Sequence, residues 1–336
     1  MRIRFVQDFI DFIRNKKNRL SFQHEYYGKC YYPPYNKKIR FNFTKPKIYN
    51  KDGRLMDIFF LRSAATSYSP YNNSKYFLWD RYNFGLDIHF YTDNDIFQTM
   101  GGGIKKFALF GEPRSINKKI YAEILKSQGL AAEFTSILTH DEEILNKYPN
   151  AMLICGSSPW CYLESGDPRT YNEKKFEIKN KEVSMIISGK NFTPLHKIRN
   201  TIADNLKNNT AVDLFGAYVN KGIQYSSEAL DTYRYHIAIE NQQSEYYFTE
   251  KILNCFISMS VPIYLGATRI GKFFNTDGII QISPNDINNL DNIIKTCNEK
   301  DYQSRLSAII DNYERSLHYL NIDDILYEKL FLNSKK

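Results

Sequence analysis

"YRYHIAIENQQSEYYFTEKILNCFISMSVPIYLG", residues 233–266, is the stretch that decides how this chain is built. Tyr235 to Ile239 reads as a short buried strand, bounded by polar residues. It ends in a carboxylate and an amide, Glu240 and Asn241, and a polar, aromatic loop follows. Thr249 then stands as N-cap before an apolar helix over 250–259, and a second apolar strand, 261–266, comes after it. Strand, helix and strand at this spacing form a parallel crossover.

Outward from that unit the alternation continues. Toward the N-terminus lie the strand "VSMIIS" (183–188), a helix with Thr193 at N-cap and Pro194 at N1, and the strand "AVDLFG" (211–216). Toward the C-terminus lie a short helix opened by Thr268, the strand "GIIQI" (278–282) and a helix over 285–299. Earlier in the chain, "MDIFFL" (56–61) and "KKFALFGEP" (105–113) read as strands, and 116–129 as a helix with Gly129 as C-cap. Residues 134–156 give a strand, a short helix and the strand "AMLIC". The pattern predicts an α/β protein with two Rossmann-like, doubly wound domains. The expected limits are a basic aromatic segment, 1–50, an N-terminal domain, 51–175, and a C-terminal domain, 176–336.

The 336 residues suffice for two such domains, and 43% hydrophobic with 24% charged residues is ordinary globular composition. No apolar run approaches the roughly 18–20 residues of a membrane span, and no secretion signal opens the chain. Five scattered cysteines without CxxC spacing fit reduced thiols and a cytoplasmic setting. The formal charge of +8 is unevenly placed: residues 1–51 carry a net +10 and the rest −2. Val6, Phe9, Ile10 and Ile13 share a helical face there, among six Arg and Lys residues. Such a segment packs one face on the body or lies on an anionic membrane surface. Aromatic residues interleave the charges, but no nucleic-acid signature accompanies them, and no nucleic-acid partner is expected.

In a doubly wound fold, ligands bind beyond the carboxyl ends of the strands. Glu240 and Asn241 occupy such an end, and Thr249, Glu250 and Lys251 open the following helix. Its N-terminal N–H groups suit a phosphate, and Lys251 adds a full charge. Glu240 and Glu250 can accept from sugar hydroxyls, and Tyr246, Tyr247 and Phe248 offer a flat wall for a base or sugar. The plainer alternative is a capping box with a solvated lysine.

The same stretch resembles the signature of the α-1,3/4-fucosyltransferases, glycosyltransferase family 10: Tyr-Arg-Tyr, then Glu240-Asn241, Tyr247-x-Thr249-Glu250-Lys251 and Val261-Pro-x-x-x-Gly266, with Ile239 in place of the usual Phe. The likeness extends more loosely over 183–282. It implies a GT-B fold, two Rossmann-like domains facing a central cleft with the donor in the C-terminal one. It also implies inverting transfer of L-fucose from GDP-fucose to a glycan hydroxyl, with an α-1,3-type linkage favoured. No cofactor is required, a divalent cation being at most stimulatory. By this resemblance Arg199 binds the donor diphosphate, and Asn241, Tyr247, Glu250 and Lys251 belong to the donor site beside Glu240 and Thr249. Glu250 contacts the fucose and Lys251 a phosphate. The acceptor fits a surface polysaccharide or lipopolysaccharide, lipid-linked and reached from the cytoplasmic face by peripheral membrane contact.

Inverting transfer needs a general base opposite the leaving group. Glu112, at a strand end after Gly111, is the first candidate, although Pro113 follows it sooner than the family pattern has it. His89, His140, His196 and His236 are its rivals, with His236 read as a core or sheet-face residue. Glu250 is the second carboxylate assigned to the catalytic set. Competing readings are another 6-deoxysugar donor, a non-catalytic glycan- or nucleic-acid-binding protein, and a metal-dependent transferase using Asp93-x-Asp95. The triple glycine 101–103 lacks the ending of a phosphate loop and reads as a flexible loop.

Overall fold

A computed structural model describes residues 49–50, 52–63, 74–80, 86–98, 105–160 and 175–332. The basic N-terminal segment and the triple glycine lie outside the described residues.

The chain divides into two compact units. In the first, six parallel strands run in the order β2-β1-β3-β4-β5-β6: β1 (Asp57–Arg62), β2 (Phe77–Asp80), β3 (Ile88–Thr92), β4 (Lys105–Leu109), β5 (Ser136–Thr139) and β6 (Ala151–Leu153). One face carries Phe60, Tyr91 and Ala108 under the helix Lys118–Lys126, which contributes Ile120, Tyr121 and Ile124 at helical spacing. The other face is aromatic, with Phe59, Phe77, Trp79, Phe90 and Phe107 in mutual ring contact. Tyr327 and Phe331, from the end of the chain, pack onto Phe59 at centroid distances of 6.1 and 5.1 Å.

The second unit holds five parallel strands in the order β11-β10-β9-β7-β8. These are β7 (Lys181–Ile186), β8 (Val212–Phe215), β9 (Tyr233–Ile239), β10 (Val261–Leu265) and β11 (Ile280–Gln281). All seven residues of β9 are buried, because helices cover both faces of a central parallel strand. One face packs on the helix Pro194–Leu206 through Leu195, Ile202 and Leu206. The other packs on the helix Glu250–Ile257 through Ile252, Leu253 and Phe256. Thr193 caps the first helix as expected, accepting from the His196 backbone N–H at 3.1 Å, with Pro194 at N1.

The division falls earlier than the expected limit at 175. The first unit's main part ends at Ile154, and the described residues Leu326–Leu332 rejoin it. The physical reason is the aromatic face of the first sheet, which the terminal Tyr327 and Phe331 complete. Among the described residues no helix is long and apolar enough to cross a membrane.

Candidate active site

Strand order locates the site in the second unit. The chain winds outward from β7 to β8 on one side and to β9 on the other, so the sheet's switch point lies between β7 and β9. Beyond those two carboxyl ends stand Ser188, Glu240 and Asn241, and the helices that follow begin at Pro194 and Glu250. Arg199 sits on the first of these helices, one and a half turns in. The structure therefore brings Arg199, Glu240, Asn241, Thr249, Glu250 and Lys251 to one sheet edge.

Their contacts differ in kind. Glu240 is fully buried, and its carboxylate accepts from the Thr249 N–H and the Thr249 hydroxyl, each at 2.8 Å. It faces inward and holds the loop through both of its oxygens. Burial pushes its carboxyl above the usual range, against the pull of Lys251. Gly266 makes room for this arrangement: a Cβ there would lie 2.2 Å from the Tyr264 hydroxyl and 2.5 Å from Glu240 Cγ.

Lys251 Nζ is already surrounded, donating at 3.0 Å to Thr249 Oγ1 and at 3.0 Å to Glu250 Oε1, with Glu240 Oε2 at 3.5 Å. Burial alone would lower its pKa, but the two carboxylates outweigh it and hold the ammonium above its ordinary value. Glu250 shows the mirror image: burial opposes ionisation, and Lys251 with nearby hydrogen bonds keeps its carboxyl below the usual range. Ser157 secures Glu250 from another segment, its hydroxyl donating to Oε2 at 3.2 Å and accepting the Glu250 N–H at 2.7 Å.

Arg199 is different. The residue is 6% exposed, Nη2 donates to Ser188 Oγ at 3.1 Å, and Nε has no hydrogen-bond partner. Among the described residues it forms no ion pair within 4.0 Å; Glu240 and Glu250 act on it only at longer range. Burial dominates and lowers its pKa. A buried cation with donor capacity to spare has the chemistry that suits an anion.

The aromatic wall is only partly there. Phe248 lies in the core against Phe273, Phe274 and Tyr319, because a fully apolar ring packs inward. Tyr246 is turned to Lys272, whose Nζ donates to its hydroxyl at 3.0 Å. Tyr247 is buried, with its ring centroid 4.8 Å from that of His140.

Ser157 escaped the sequence reading, and His196 has a different place from the one read for it. Ser157 lies 93 residues from Glu250, beyond any local signal. His196, first read as a rival base, is tied to Asn241 at 2.9 Å. His236 matches its core reading: it is bonded to Ser184 Oγ at 2.7 Å, and burial lowers it to about 3. His89 is buried between Tyr91 and the Leu86 carbonyl.

In the first unit, Glu112 follows β4. Its N–H and that of Gly111 donate to Asp93 Oδ1 at 3.1 and 3.2 Å, and its carbonyl accepts from the Tyr121 hydroxyl at 2.7 Å. Asp93 adopts a left-handed backbone, φ 46°, and burial raises its carboxyl to about 6. Asp95 instead faces Arg62 at 3.6 Å, so the two acids of Asp93-x-Asp95 serve different partners.

Residues 176–305 match the family model described as "Glycosyltransferase family 10 (fucosyltransferase) C-term". The chain is 28% identical over 163 residues to the alpha-(1,3)-fucosyltransferase FucT of Helicobacter pylori, covering 47% of this chain and 32% of that one. It is 24% identical over 195 residues to 4-galactosyl-N-acetylglucosaminide 3-alpha-L-fucosyltransferase 9 of Rattus norvegicus, covering 56% and 49%. These alignments thus span a third to a half of the curated relatives. Crystal structures of an alpha1,3-fucosyltransferase, alone and with GDP, superpose with TM-scores of 0.50 at 15% and 16% identity. They cover 87% and 84% of this chain and 93% and 91% of those chains, a likeness of fold that agrees with the GT-B expectation.

Proposed function

We propose that the chain is a glycosyltransferase of family 10, whose C-terminal family model matches residues 176–305, and that it is an inverting fucosyltransferase using GDP-fucose. The acceptor in this reading is a glycan hydroxyl of a surface polysaccharide or lipopolysaccharide, joined in an α-1,3-type linkage. The observation that carries the reading is Arg199, a buried guanidinium with an unpartnered Nε and no ion pair among the described residues. A diphosphate supplies the missing acceptors, and a planar donor fork suits its oxygens. As the bond to fucose breaks, negative charge grows on the leaving diphosphate. Arg199 stabilises that charge more in the transition state than in the ground state. Lys251 reinforces it and Glu250, steadied by Ser157, meets the sugar.

Glu112 takes the proton of the acceptor hydroxyl. Its backbone is held on one side by Asp93 and on the other by Tyr121, the fixed support a general base needs. The basic composition of residues 1–51 supports peripheral contact with an anionic, lipid-bearing surface.

The test is a panel of nucleotide-sugars in a thermal-shift assay, followed by product analysis with glycan acceptors. GDP-fucose should stabilise the chain and Arg199→Ala should lose that effect. Glu112→Gln should keep donor binding but lose transfer. Stabilisation by a different 6-deoxysugar nucleotide would correct the donor, and no response to any nucleotide would end the reading.

A further inference from the structure

His196 stands at the start of the helix Pro194–Leu206, 1% exposed, and its two ring nitrogens have unlike partners. The backbone N–H groups of Phe192 and Thr193 point at Nδ1 from 3.2 and 3.3 Å. Two donors aimed at one nitrogen require a lone pair there, so Nδ1 carries no proton. The proton of the neutral ring is then on Nε2, 2.9 Å from Asn241 Oδ1. That fixes the carboxamide of Asn241 by chemistry: its oxygen accepts from His196, and its NH2 is the end presented elsewhere. We infer that His196 is a positioning residue, held as the Nε2–H tautomer, that makes Asn241 meet the sugar nucleotide as a hydrogen-bond donor. This rests on the donor site proposed above.

The consequence is selective. Phosphate and hydroxyl oxygens accept from an amide NH2, whereas a reversed carboxamide would set a carbonyl oxygen against a phosphate. The charged groups that act most on the ring are cationic: Arg199 on its own helix, Lys190 on the preceding loop and Lys251 on the helix Glu250–Ile257, the last held between Glu240 and Glu250. Burial first, and these cations with it, hold His196 below its ordinary value, the Asn241 bond opposing them. Acidification that protonates Nδ1 sets a proton against two N–H groups and undoes the loop that orients Asn241.

Two measurements test this on the full chain. Nitrogen chemical shifts of histidine-labelled protein, assigned with His196→Gln, should show a neutral ring with its proton on Nε2 at about pH 7; a proton on Nδ1 would overturn the inference. Calorimetric titration with GDP-fucose is then run at about pH 8 and about pH 5.5, a range over which its esterified diphosphate keeps its charge. Because the ring is held below its ordinary value, the unmutated chain should bind about equally well at both pH values, as a ring that stays neutral requires. His196→Phe should bind about tenfold more weakly at the higher one. His196→Gln, a usual residue at this capping position, should keep the helix start and recover part of the affinity. Unchanged affinity in the Phe variant sinks the role of His196 alone. Failure of the unmutated chain to bind GDP-fucose sinks the donor reading and, with it, the task assigned to Asn241.

Discussion

Glu240 and Thr249 are joined twice, N–H and hydroxyl of Thr249 both donating at 2.8 Å to one fully buried carboxylate. This pair ties the exit of β9 to the entrance of the next helix, and Lys251 closes it at 3.5 Å. Glu240→Ala should therefore destabilise the chain by about 3 kcal/mol, leaving two buried donors without their acceptor and Lys251 with one carboxylate fewer. Glu240→Gln keeps an acceptor for the Thr249 N–H and should lose less than half as much. Urea unfolding of both variants checks this, and equal losses would show that charge rather than hydrogen bonding holds the loop.

Arg199 bears the opposite expectation. A buried guanidinium with an unsatisfied Nε is a burden on the free protein. Arg199→Met should leave stability unchanged or raise it by up to about 2 kcal/mol, while removing the thermal shift given by GDP-fucose. Stability and binding moving apart is the signature of a site built for a ligand. A large loss of stability would instead make Arg199 a structural counterion of Glu240 and Glu250.

Much of this site could be read from residues 233–266, because its parts are local: a strand end, an N-cap and the first turn of a helix. The same holds for Thr193 and Pro194, whose capping chemistry is written within four residues. What stayed hidden depends on distant partners. β2 and β3 are short and gave no clear period, and they become strands by pairing with β1. Tyr327 and Phe331 follow no periodic pattern in sequence and find their place only against Phe59. Ser157 carries no signal until the fold sets it beside Glu250, and Phe248, placed by pattern on a ligand wall, belongs to the core.

Asp93 gives a pH-dependent prediction whose sign follows from its raised carboxyl, about 6 against an ordinary 3.8. The folded chain holds this proton more tightly than the unfolded one. Ionising Asp93 therefore weakens the fold as pH rises from 3.8 through about 6, and the full penalty stands above that range. Asp93→Asn keeps an oxygen for the Gly111 and Glu112 N–H groups and never ionises. It should be more stable than the unmutated chain by up to about 3 kcal/mol at neutral pH, with the gap closing toward pH 4. Denaturant titrations across that range read the difference directly, and a gap that widened on acidification would reverse the assignment.

Lys251 is the group on which two carboxylates depend, and its removal should show that dependence as a function of pH. In the intact chain Glu250 is held below its ordinary value, so its contribution is present above pH 4.5 and fades as pH falls through its folded value. Lys251→Met leaves Glu240 and Glu250 buried together without their cation, and both carboxyls must then rise. The variant should be about 3 kcal/mol less stable near pH 8 and should recover as acid protonates the pair. Loss of GDP-fucose binding should persist at every pH, because protonating the acids does not restore a positive charge for the diphosphate. A variant equally unstable at pH 5 and pH 8 would mean that Lys251 acts through packing of its aliphatic stem rather than through charge.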